Sequence, residues 1–154
     1  MTATANDAFA EVQNGIVNAS IEVAAPPDRV FRAISSPEVA EWWGSSDLYR
    51  VEKWVGDLRV GGKWQADTRA AEGGPEMIVR GEFTVVDPPR VLEHTWEPSW
   101  EGFIKTLVRY ELTPTAKGTL VTVVHSGFAQ AAEAGRDHAD GWKRVLGWLS
   151  IHFS

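Results

Sequence analysis

The sequence predicts an α+β domain in which one long C-terminal helix closes over a curved antiparallel sheet. Three observations carry this prediction. From Ala129 to Phe153, the residues Trp142, Val145, Leu146, Leu149 and Phe153 fall at i, i+3, i+4, i+7 and i+11, which is one apolar helical face. Between Arg50 and Ser126 the chain is a series of short alternating segments separated by Gly and Pro turn signals. The predicted order is one strand, two short helices, six strands and the long helix, so helices and strands are segregated. A single amphipathic helix cannot cover seven strands laid flat, so the sheet must curl around it.

The elements follow in order. Ile16 to Val23 alternates, with Val17, Ala19, Ile21 and Val23 on one face. Pro26-Pro27 ends this strand and opens a helix over 28–34, because a proline N–H is not needed in the first turn. Ser36-Pro37-Glu38 starts a second short helix that runs to Trp42-Trp43 and stops at Gly44. Strands are predicted over 50–55, 63–69, 77–86, 91–96, 105–112 and 119–126. In the third of these, Val79, Gly81, Phe83 and Val85 share a face. The short connections favour antiparallel pairing of neighbours. Gly135, Gly141 and Gly147 each weaken the last helix by roughly 1 kcal/mol relative to alanine. Gly141 is the one that could admit a strand or a ligand close to the helix.

The 154 residues fit one domain, expected over 15–154 and preceded by a flexible N-terminus over 1–14. A net charge of −6 with no basic run argues against nucleic-acid binding, which draws its affinity from phosphate contacts. No apolar stretch approaches a membrane span, so membrane insertion is not expected. The absence of cysteine removes disulfides, thiol nucleophiles and thiolate metal sites. With no basic-then-apolar leader at the N-terminus, the expected location is cytoplasmic.

Eight tryptophans are the unusual feature of the composition. Each buried indole removes on the order of 200 Å² from water, so some of them form the core, and the set is large enough to line a cavity. Trp142 lies on the buried face of the closing helix, Trp64 and Trp96 lie in strands, and Trp42-Trp43 ends the second helix. Trp54 and Trp100, near loops, are placed to gate a mouth. Phe83, Tyr110, Val123 and Leu146 complete the apolar candidates for the cavity wall. His125 shares a strand face with Val121 and Val123, and as a polar group in an apolar pocket it could orient a ligand or act as a base. His138 lies one turn before Trp142. The facing of His94 is left open, and His152, near the terminus, is expected in solvent. Metal binding needs several convergent ligands, and no third partner joins His125 and His138 in the sequence, so no metal and no cofactor are expected. There is no nucleophile elbow, phosphate-cradling loop or dinucleotide fingerprint, and no catalytic residue is assigned.

An ordered set of motifs resembles a known family. They are Ala25-Pro26-Pro27-Asp28-Arg29-Val30-Phe31, Trp42-Trp43-Gly44, Gly61-Gly62-Lys63-Trp64, Val86-Asp87-Pro88-Pro89-Arg90-Val91-Leu92, His125-Ser126-Gly127-Phe128 and His138 through Trp142. In this order and spacing they resemble the activator of Hsp90 ATPase homology 1-like family, a branch of the START-like, or SRPBCC, superfamily. The resemblance implies a helix-grip fold, with a curved seven-stranded antiparallel sheet around the C-terminal helix and a deep cavity between them. It also implies that the cavity takes small hydrophobic or aromatic molecules, lipids among them. A chain of this length has no room for the extra N-terminal domain of the eukaryotic activator, so an Hsp90-type partner is not expected. A homodimer is left open. The expected function is therefore binding of a small hydrophobic or aromatic molecule. The alternatives are a cofactor-free cyclase or hydrolase using the same cavity, and a stress-response or Hsp90-associated interaction protein.

Overall fold

The computed structural model describes residues 7–154, and residues 1–6 of the expected flexible N-terminus lie outside the described residues. Eight strands form one antiparallel sheet: β1 (Phe9–Gln13), β2 (Ile16–Val23), β3 (Tyr49–Gly56), β4 (Lys63–Ala70), β5 (Glu76–Asp87), β6 (Val91–Pro98), β7 (Thr106–Pro114) and β8 (Thr119–Ser126). Helices α1 (Pro27–Ile34) and α2 (Val39–Trp42) lie between β2 and β3, and α3 (Ala132–His152) ends the chain. The strand order is β1-β2-β8-β7-β6-β5-β4-β3.

The sheet has one strand more than the seven expected. The added strand, β1, lies within the segment expected to be flexible. Its cause is the Asn14-Gly15 pair, both at positive φ, which turns Phe9–Gln13 back onto β2 as a two-residue hairpin. A second difference lies in β5. A register shift between Phe83 and Val85 places Val86 opposite Leu92, so Val86 packs on the core where Val85 was expected.

The core is continuous from β2 and α1 to β4 and α3. Helix α3 packs against β1 and β2, at one side of the sheet. Gly135 allows this approach, because a Cβ there would sit 3.2 Å from the Phe128 Cβ and 3.3 Å from Val12. The far end of α3 is tied down as well. His152, expected in solvent, has its Nε2 2.7 Å from Glu38 Oε2, and Glu38 also receives Arg29 at 2.8 Å. Burial works against the Glu38 charge, but the bonds from Arg29 and His152 outweigh it and hold this carboxyl below its ordinary range.

Gly147 has no such reason to be glycine, since a Cβ there would meet nothing within 4 Å. Gly147→Ala is expected to raise stability by about 1 kcal/mol, since alanine restricts the unfolded chain and favours the helix. A thermal melt should then rise by roughly 3 °C. An unchanged or lower midpoint would show that this turn of α3 is held by something other than helix propensity.

Candidate functional site

Because α3 sits over β1 and β2, the sheet from β3 to β6 curls away beneath it and leaves a cavity of about 470 Å³. Its walls are the inward faces of β3–β6, Tyr110 of β7, Ile34 of α1, Val39 of α2, and one face of α3. On β4 the period of two brings Trp64, Ala66 and Thr68 inward. On α3 the exposed face of the cavity is Asp137, His138, Gly141, Trp142, Arg144 and Val145. A Cβ on Gly141 would meet only the Arg144 guanidinium, at 3.9 Å, so this glycine leaves open space in the wall.

Seven of the eleven candidate residues line the cavity: Trp43, Trp64, Phe83, Trp96, Tyr110, His138 and Trp142. Their rings form one connected aromatic surface, with His94 bridging Phe83 to Trp64 and Tyr110. Trp43 stands 6.1 Å from Trp96 and 5.8 Å from Trp142, and Trp96 stands 6.0 Å from Trp64. Trp54 and Trp100 also line it, Trp54 buried against Phe83 and Trp100 nearly half exposed at the mouth.

The other four lie elsewhere. Trp42 turns between the small helices and donates its indole N–H to Ala33 O at 2.9 Å. Val123 of β8 and Leu146 of α3 are completely buried in the core and do not line the cavity. His125, expected to look into the cavity, is completely buried behind Trp142. The Trp142 indole can only donate, so its N–H goes to His125 Nδ1 at 3.1 Å. The neutral ring therefore carries its proton on Nε2, which donates to Thr106 Oγ1 at 2.7 Å, and that hydroxyl donates to Trp96 O at 3.3 Å. Burial, reinforced by the nearby His138 and His94, pushes the His125 pKa well below its ordinary value, which keeps the chain of donors intact. With both nitrogens engaged, His125 acts as a clamp that fixes Trp142 and Trp96, leaving no free base on its ring.

The histidine that does face the cavity from the sheet is His94. Alternation along β6 places it between Leu92 and Trp96, and its ring stands 4.7 Å from Trp64. Its Nδ1–H donates to Thr95 O at 3.0 Å. That carbonyl is available because β5 and β6 part locally: Glu82 N donates to Thr95 Oγ1 at 2.9 Å, and Thr95 O occupies the space where a side chain on Gly81 would stand. Gly81 thus makes room for both the carbonyl that orients His94 and the Trp64 indole. Burial lowers the His94 pKa to about 4, so the ring is neutral near pH 7. A glycine inside an alternating strand was the available signal for this close approach, and its link to His94 depends on strand register that one sequence does not reveal.

At the mouth, His138 donates Nδ1–H to Ala134 O at 2.8 Å and holds Nε2 3.4 Å from Glu101, beside Trp100. Tyr49 accepts the Trp43 indole N–H at 3.2 Å and packs edge-on to Trp148. Among the described residues no group of three metal-capable side chains comes together, and no helix is long and apolar enough to cross a membrane.

The model of the family described as "Activator of Hsp90 ATPase homolog 1-like protein" matches residues 24–153, most of the chain. The chain belongs to this family. Solved structures similar to this AHSA1-like domain include a Rhodobacter sphaeroides protein at TM-score 0.81 and 20% identity, covering 96% of this chain and 97% of that one. A Chromobacterium violaceum protein gives TM-score 0.78 and 21% identity over 92% and 98% of the two chains. The AHSA1-like protein from Aeromonas hydrophila gives 0.75 and 18% over 89% and 90%. These likenesses establish the helix-grip architecture of the AHSA1-like domain. No curated protein matches the chain. The cavity walls of this family member must therefore be read from its own residues.

Proposed function

We propose that the protein binds a small hydrophobic or aromatic molecule in the cavity between the curved sheet and α3. The observation that carries this reading is the cavity itself: about 470 Å³ lined by connected aromatic rings, with its charged groups, Asp137 and Arg144, on the helix at the exposed rim. This volume falls within the range of small-molecule sites, and such sites are mostly apolar with a few placed polar groups. The residues support binding over acid–base chemistry on His125, since both nitrogens of that ring are engaged by protein. The reading needs no metal or cofactor.

Gly141 supplies the test, because its open space lets a large side chain enter the cavity without displacing backbone. A panel of neutral aromatic compounds, followed by tryptophan fluorescence and calorimetry, is expected to give ligands for the native protein. Gly141→Phe is expected to fold, to melt no lower than the native protein, and to weaken those ligands by at least tenfold. Undiminished binding in a folded Gly141→Phe protein, or no binding by any panel member, would reject the proposal.

A further inference from the structure

Besides the indole N–H groups of Trp64 and Trp96, which are fully buried without a hydrogen-bond partner, the cavity wall holds two polar side chains with unmet hydrogen-bonding capacity. His94 has its Nδ1–H committed to Thr95 O, so in the neutral ring Nε2 is an acceptor, and among the described residues it has no donor. Tyr110 is 2% exposed and lines the same cavity, and its hydroxyl has no partner among the described residues. Buried groups of this kind are costly when left unpaired. The two are neighbours: His94 pairs with Val108, so Tyr110 is the next residue on the same face of β7, and the rings stand 6.1 Å apart. Around them are the rings of Trp64, Phe83 and Trp142, and the one Lys or Arg that lines the cavity among the described residues, Arg144, is exposed on α3 at the rim.

We infer that the cavity selects an uncharged alcohol or phenol that enters hydroxyl first, donating its O–H to His94 Nε2 and accepting from the Tyr110 hydroxyl. This rests on the binding function proposed above and specifies its ligand class. A single hydroxyl satisfies both groups, because it is donor and acceptor at once. Of this pair, an ether or ketone oxygen can serve only Tyr110 and leaves His94 facing a lone pair. A carboxylate brings a charge into a wall that offers it no fixed cation, and burial opposes the His94 imidazolium that would neutralise it. His94 is on this view the specificity-determining residue of the site, and Gly81 with Thr95 positions it.

The test compares 2-naphthol with 2-methoxynaphthalene by calorimetry at pH 7.5. The ether is the more apolar of the two, so a pocket that reads only hydrophobic surface would favour it. The inference expects the opposite order, with the naphthol at least tenfold tighter, and expects His94→Phe to remove that preference while retaining affinity for the ether. Equal or tighter binding of the ether to the native protein overturns the inference, as does a naphthol preference that survives His94→Phe. Nitrogen NMR of the native protein labelled in histidine reports the same contact without a variant. The His94 Nε2 resonance should move with naphthol and stay in place with the ether, and an equal response to both would overturn the inference. Binding of both compounds without discrimination leaves the binding function standing. Binding of neither overturns that function and this inference together.

Discussion

Gly81→Ala is expected to cost the protein about 3 kcal/mol or more, lowering its thermal midpoint by roughly 10 °C. The added Cβ would stand 2.0 Å from Thr95 O and 2.6 Å from the Trp64 indole nitrogen. Neither obstacle is the far end of a flexible chain. One is the backbone of β6, held on its other side by pairing with β7, and the other is a ring packed against His94 and Trp96. Relief requires β6 to retreat by about an ångström from a close-packed core, and interiors of native density do not yield that cheaply. Urea unfolding at constant slope would measure the loss, with Gly147→Ala as the control in which the same chemical change moves stability the other way. A midpoint within error of the native protein would mean that the β5–β6 distortion is not built around this glycine. Because Thr95 O also orients His94, whatever folded Gly81→Ala protein remains should lose discrimination between naphthol and its methyl ether.

The larger features were legible because they depend on periodicity. Trp142, Val145, Leu146 and Leu149 mark the buried face of α3, and the same face is buried in the structure. The β4 alternation of Trp64 and Ala66 is equally plain. What one sequence hides is where the helix comes to rest across the sheet. It settles over β1 and β2, so Leu146 and Val123 become core while Gly141 and Val145 become wall, although all four belong to inward faces. The same displacement sends His125 behind Trp142 and leaves His94, two strands away, as the histidine that the sheet presents to the cavity. Strand β1 was legible in principle, since Asn14-Gly15 between two apolar segments is a strong hairpin signal. It needed the preceding five residues to be weighed as a strand despite their proximity to the terminus.

Acid should destabilise the protein before its carboxylates begin to titrate. His94 has a folded pKa of about 4, lowered chiefly by burial and only partly opposed by its bond to Thr95 O and by Glu93, against about 6.5 in the unfolded chain. The sign follows from proton counting. Between pH 6.5 and pH 4 the unfolded chain binds a proton on this residue and the folded protein does not, so stability falls as pH falls through that window and is flat above it. Over 2.5 pH units a single proton is worth about 3 kcal/mol, and His125, whose pKa burial also lowers, acts in the same direction. Glu38 is distinct: its folded carboxyl lies below the ordinary range, so its contribution is present above its unfolded pKa and is lost at lower pH than the histidine window begins. Urea unfolding at intervals from pH 7.5 to 4.5 should therefore show a decline beginning near pH 6.5, with a slope of between one and two protons. His94→Gln keeps a neutral polar side chain and removes one titrating group, so its slope should be smaller by about one proton. A native profile that stays flat down to pH 5 would show that His94 and His125 are not held neutral in the folded state. The acceptor at His94 and the donor chain from Trp142 to Trp96 would then both have to be abandoned, since each requires an uncharged imidazole.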